Sequence, residues 1–112
     1  MEKYIIAVDM DGTLLNSENR ISERTRNVLQ WLIDEGHYVV PATGRTRKLI
    51  PEEFSVLHGV KWGIVENGCV VWDYEKNEMI WRKTMPEGIV RRILKDVEES
   101  GIKGWIAEAY AN

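Results

Sequence analysis

Cysteine is nearly absent from this sequence. The 112 residues include one, Cys69, so an internal disulfide is excluded and a reducing cytoplasm is the expected setting. Long apolar runs are missing too. No stretch approaches the roughly 20 residues that cross a bilayer, and no charged-then-apolar leader opens the sequence. Charge of one sign is never blocked: 15 Lys and Arg are interspersed with 18 Asp and Glu, for a net charge of -3. That removes the electrostatic case for nucleic acid or an anionic membrane as partner. There is no internal repeat and no low-complexity segment.

What remains is an ordinary globular composition, 44% hydrophobic and 29% charged. A chain of this length is about one domain and should bury roughly two-thirds of its unfolded surface. Five tryptophans, Trp31, Trp62, Trp72, Trp81 and Trp105, are many for the length and are expected to serve packing.

The order of elements is readable from periodicity. Tyr4-Ile5-Ile6-Ala7-Val8 is an unbroken apolar run, the signature of a strand buried on both faces of a parallel sheet. Ser22 is placed to cap a helix whose apolar positions are Val28, Leu29, Leu32 and Ile33, and Gly36 stands where such a helix stops. Residues 38–42 read as a second strand, although Pro41 cannot donate to a ladder. A helical segment over residues 46–57, restarted at Pro51, then leads to a third strand at Trp62-Gly63-Ile64-Val65. Alternation of this kind predicts an α/β fold with right-handed crossovers. Val70-Val71-Trp72 and Met79-Ile80-Trp81 then flank a polar loop as a hairpin. A second helix follows, with Ile89, Val90, Ile93, Leu94 and Val97 on one face and Gly101 as its stop, and Trp105-Ile106-Ala107 reads as the start of another strand.

Three polar segments fall at the carboxyl ends of the parallel strands: Asp9 to Thr13, Thr43-Gly44-Arg45 and Glu66-Asn67-Gly68. Ligands of open α/β sheets gather there. Two carboxylates, Asp9 and Asp11, one residue apart at a strand end repel each other unless a cation or a shared proton relieves them. Thr43 offers a hydroxyl, Gly12 and Gly44 allow close approach of backbone amides, and Arg45 supplies a planar charged donor, all suited to an anion. A hard cation such as Mg²⁺ bridges carboxylates to a phosphate, and a carboxylate can itself attack phosphorus. His37 and His58 follow or close helices and are expected to be structural. Cys69, without basic neighbours in sequence, is expected to be a small buried residue.

Asp9-Met10-Asp11-Gly12-Thr13-Leu14 resembles the first motif of the haloacid dehalogenase superfamily. Leu15-Asn16-Ser17, Ala42-Thr43-Gly44-Arg45 and Glu66-Asn67-Gly68-Cys69 resemble its Cof-type phosphatase branch, in matching order from about residue 3 to residue 85. The resemblance implies a Rossmann-like parallel sheet with helices on both faces, truncated, as a core over residues 1–85. Residues 86–112 would be the beginning of an α/β cap domain. It also implies a Mg²⁺-dependent phosphomonoester hydrolase acting on a small phosphorylated metabolite, a sugar or nucleotide phosphate. Asp9 would be the nucleophile and Asp11 the general acid and base. Asp9 and the Asp11 carbonyl would hold the metal, Thr43 and Gly44 the phosphate, and Arg45 and Asn67 would stand near it.

The same resemblance exposes what is missing. The superfamily's third motif supplies a lysine and its fourth an acidic pair, and neither has a counterpart here. Asp34, Asp73 and Asp96 are scattered, and Lys48 is a poor stand-in. The sequence therefore reads as the amino-terminal portion of a longer phosphatase, with an open sheet edge that could pair with a second copy. Two alternatives stand beside the hydrolase: a non-catalytic module binding phosphate or metal, and a phosphomutase that returns the phosphoryl group to a sugar.

Overall fold

Extended, β-branched segments before Asp9 and after Gly36 pair side by side. In the computed structural model, which describes residues 2–47, 50, 54 and 57–103, β1 (Ile5–Val8) runs parallel to β2 (Tyr38–Pro41), with Ile5 opposite Tyr38 and Val8 opposite Pro41. β3 (Trp62–Val65) continues the parallel set through a single bridge, Ala42 to Ile64. Pro41 explains why that contact is so short. Tyr38 and Ala42 donate their amides to Tyr4 and Val8 of β1, whereas Thr43 donates to Ile64 of β3. By alternation position 41 faces β3, and proline has no N–H to offer. Beyond β3 the direction reverses. β4 (Val70–Asp73) and β5 (Glu78–Arg82) pair antiparallel, with a bulge at Val71/Trp72. The spatial order is β1-β2-β3-β4-β5, so the expected hairpin is the far flank of the parallel set.

Helix α1 (Glu23–Asp34) begins as its sequence predicts: Ser22 Oγ accepts the Thr25 amide at 3.2 Å. It ends at Glu35, followed by Gly36 at φ 93°, a left-handed stop suited to glycine. Ser22→Ala removes this cap, and chemical denaturation should register a loss of about 1 kcal/mol. The core gathers Met10, Leu15, Ile21, Leu29, Val39, Phe54 and Leu57, with Leu32 and Ile33 packed against it. Val28, expected on the same face, is 50% exposed, because it lies at the margin of the buried stripe.

Three expectations are corrected. β1 is not buried on both faces. Ile5 is 68% exposed, and exposure alternates along the strand, because among the described residues only β2 pairs with β1. The tryptophans do not all pack: Trp72 is buried, while Trp31 and Trp81 are more than half exposed. Cys69 is exposed, because it closes the turn between β3 and β4 with its amide on the Glu66 carbonyl. The histidines behave as expected. Tyr4 donates its amide to His37 Nδ1, and His58 exchanges both backbone groups with the Gln30 side chain.

Helix α2 (Glu87–Glu99) stops at Ser100, with Gly101 at φ 73°. None of its residues is buried, and Ile89 and Ile93 of its apolar face stand open. Most of the helix expected over residues 46–57, including Pro51, lies outside the described residues. So do Lys48 and the strand expected at residues 105–107, with Trp105.

Candidate functional site

The turn after β1 sorts its side chains by alternation. Asp9 is extended (φ -72°, ψ 146°), so Met10 turns inward and is fully buried while Asp9 and Asp11 stay exposed. Gly12, at φ 74°, then reverses the chain in a left-handed conformation that glycine adopts without steric cost. The turn is closed by the Leu14 amide on Asp9 O (3.2 Å) and the Leu15 amide on Met10 O (3.0 Å). Asp9 Oδ1 accepts the Met10 amide at 2.9 Å, and the Thr13 hydroxyl approaches Oδ2 at 3.4 Å. Thr13 was not singled out from sequence as a partner of Asp9. Its spacing, four residues on across a glycine turn, was the signal available.

The segment after β2 comes to the same strand end, because Ala42 donates to Val8 of β1. Thr43 is buried, and its hydroxyl accepts the Arg45 amide at 3.0 Å. Arg45 reaches across to Asp11 with two parallel bonds, Nε to Oδ2 at 2.8 Å and Nη2 to Oδ1 at 2.6 Å. Such a fork fixes both planes as well as the distance. These hydrogen bonds hold the Asp11 carboxyl below its ordinary range, more than its small loss of hydration raises it, and they raise the Arg45 guanidinium.

The third segment closes the cluster. Glu66 donates its amide to Arg45 O at 2.9 Å, and Asn67 to Thr43 O at 3.1 Å. The structure thus brings Asp11, Thr43, Gly44, Arg45 and Asn67 together, with Asp9 on the same turn as Asp11. It does not bring Asp34, Asp73 or Asp96 to them. Asp34 bonds Gln30, Asp73 is buried accepting the Lys76 amide, and Asp96 lies on α2.

Asp9 keeps open lone pairs and is exposed, which fits a hard, oxygen-seeking cation that takes one or two carboxylates and completes its shell with water and phosphate. Among the described residues no group of three His, Cys, Asp or Glu side chains is disposed to hold a metal. The cluster therefore supplies part of such a shell.

The lowered Asp11 carboxyl has a consequence for stability. An acid whose folded pKa lies below its unfolded value stabilises the fold above the ordinary carboxylate range, and the gain disappears as pH falls through the folded value. Arg45→Met should move the Asp11 carboxyl titration, followed by ¹³C NMR, upward to the ordinary range. Any stability difference from wild type should fade on acidification.

Comparison with known proteins places this geometry. The haloacid dehalogenase-like hydrolase model matches residues 6–111. The 5-amino-6-(5-phospho-D-ribitylamino)uracil phosphatase YitU of Bacillus subtilis (strain 168) is 55% identical over 108 residues, 94% of this chain and 39% of its own. YcsE of the same strain, which bears the same activity in its name, is 41% identical over 81 residues, 72% of this chain and 32% of its own. A solved haloacid dehalogenase-like hydrolase from B. subtilis superposes with a TM-score of 0.76 at 35% identity, covering 88% of this chain and 34% of that one. The chain spans about a third of the length of the curated relatives it matches. No described helix is long and apolar enough to cross a membrane.

Proposed function

Because the chain belongs to the haloacid dehalogenase-like hydrolases, we propose that its strand-end cluster is the amino-terminal half of a phosphomonoesterase site. One observation carries the reading: the Asp9–Asp11 turn faces a threonine, a glycine and an arginine whose fork already grips a carboxylate. A fork that fits a carboxylate also fits a phosphate. On this reading residues 1–85 are the catalytic core and residues 86–112 begin the cap.

Asp9 attacks phosphorus with a carboxylate oxygen. The bond from phosphorus to the ester oxygen breaks, and that oxygen takes its proton from Asp11. Water then attacks the aspartyl-phosphate, Asp11 takes the water's proton, and phosphate leaves with the Asp9 carboxylate restored. Thr43 and the Gly44 amide hold the non-bridging oxygens. Asp11 is held here as a carboxylate by Arg45, the form suited to the second step. To donate in the first it must leave the fork, and a phosphate dianion beside Thr43 competes for the same guanidinium. Mg²⁺, held by Asp9 and the Asp11 carbonyl, would neutralise the repulsion between carboxylate and phosphate.

The substrate class that the relatives favour is a phosphorylated polyol or sugar. The ribitylaminouracil phosphate in the names of YitU and YcsE is the first physiological compound to try. The test is release of phosphate from an aryl phosphate and from that compound, in excess Mg²⁺ with a chelated control. Metal-dependent release supports the hydrolase. A folded chain that binds phosphate without releasing any from an ester favours the non-catalytic module, which the partial metal shell among the described residues also suits. Transfer of phosphate to a second sugar rather than to water would mark a phosphomutase.

A further inference from the structure

Gly44 is glycine for a neighbour's sake. Its φ is not left-handed, so the backbone alone would accept a side chain. A Cβ built there would stand 2.7 Å from Asn67 Oδ1, closer than real Cβ atoms come, and a tight 3.3 Å from its Cγ, so the Asn67 side chain would have to move aside. The Asn67 amide group therefore lies directly against the Gly44 backbone.

The turn that carries Asn67 is unusual. Glu66, Asn67 and Gly68 have φ of 53°, 57° and 89°, three left-handed residues in a row. Asparagine and glycine tolerate this region, whereas glutamate meets a penalty of about 1 to 2 kcal/mol. The conformation aims two successive amides at one loop: Glu66 at Arg45 O and Asn67 at Thr43 O. The carbonyls on either side of Gly44 are thus both pinned by the turn, and Asn67 covers the glycine between them. Of the amides in this loop, Thr43 is spent on Ile64 O and Arg45 on the Thr43 hydroxyl. The Gly44 amide has no acceptor among the described residues.

We infer that Asn67 is a positioning residue: lying on Gly44, it sets the angle at which the open Gly44 amide is presented to a phosphate and, through Arg45, the reach of the fork to Asp11. The role rests on the phosphate-site reading above and assigns Asn67 no contact with the ligand. Local strain is tolerated where surrounding bonds over-determine it, and here those bonds are the two carbonyl pins.

A double-mutant cycle on the full chain tests it, read by inorganic phosphate titrated in excess Mg²⁺ against the ¹⁵N-resolved Gly44 amide. Asn67→Gly keeps the left-handed turn and removes the amide group. Gly44→Ala forces that group away. Each should weaken phosphate binding roughly three- to tenfold with melting unchanged, and the double variant should be no weaker than the worse single, since both remove one contact. In Gly44→Ala the Cβ takes the place of the amide group and in Asn67→Gly nothing does, yet both uncouple the turn from the loop. Losses that multiply, or an Asn67→Gly chain with wild-type affinity, overturn the inference. A wild-type Gly44 amide that ignores saturating phosphate instead sinks the phosphate-site reading. The positioning role is then judged by hydrogen exchange at the Glu66 and Arg45 amides. Faster exchange in Asn67→Gly upholds the coupling, and unchanged exchange overturns it.

Discussion

If the proposed site hydrolyses phosphomonoesters, Asp9→Asn should lower any turnover of an aryl phosphate by at least about 10³-fold, the scale on which removal of a covalent nucleophile is felt. The substitution keeps the shape of the side chain, and its carbonyl oxygen can still accept the Met10 amide that now lies 2.9 Å from Oδ1. What it removes is the negative oxygen that the proposed mechanism uses to attack phosphorus, and an anionic donor for a cation. The fold should therefore survive, with a melting transition near wild type, while phosphate release stops. Asp11→Asn is the informative companion. Loss of a general acid or base is worth about 10²- to 10⁴-fold, and an aryl leaving group needs little protonation. The Asp11 variant should hence be phosphorylated readily and hydrolysed slowly, and intact-mass spectrometry should find a phosphoryl group retained on Asp9. Equal and complete inertness of both variants toward phosphorylation would count against the division of roles. Residual wild-type turnover in Asp9→Asn would remove Asp9 as nucleophile.

Met10→Ala carries the largest expected loss of stability, about 2 to 5 kcal/mol in chemical denaturation. Met10 is fully buried in the main core cluster, which also holds Leu15, Leu29 and Val39. A domain of ordinary stability has only about 5 to 15 kcal/mol in total, so this one truncation uses a large part of it. The site should suffer as well, because Met10 is the residue between the two aspartates. Its side chain anchors the turn whose closing bonds run from Leu14 and Leu15 to Asp9 O and Met10 O. Amide exchange at Leu14 and Leu15 should accelerate beyond the change that global destabilisation explains. A loss under 1 kcal/mol would mean that the core collapses around the cavity and that the anchoring role is wrong.

These two outcomes mark the boundary between sequence and tertiary structure. The alternation Asp9-Met10-Asp11 after an apolar run is a local pattern, and local rules place it: an extended backbone sends successive side chains to opposite sides. Ser22, Gly36 and Gly101 were legible for the same reason, since a cap or a left-handed stop depends on neighbours within a few residues. The family resemblance was likewise carried by short motifs in order. Burial was harder to read. Tyr4-Ile5-Ile6-Ala7-Val8 has the composition of a two-sided buried strand, yet Ile5 is exposed, because burial depends on which other segments come to lie on each side. Cys69 has the residue type of a core position and sits outside because the turn before it is left-handed.

The sequence by itself determined the order of strands and helices, the caps, and which residue types would stand at the strand ends. Only the tertiary structure decided that Arg45 grips Asp11, that the Glu66 and Asn67 amides hold the carbonyls around Gly44, and that the Asn67 side chain lies where a Gly44 side chain would go. Those pairs are 34 and roughly 20 residues apart in the chain. No local pattern specifies such distant partners: parallel pairing of β1 with β2, and the short bridge from β2 to β3 that Pro41 permits, bring them to one end of the sheet.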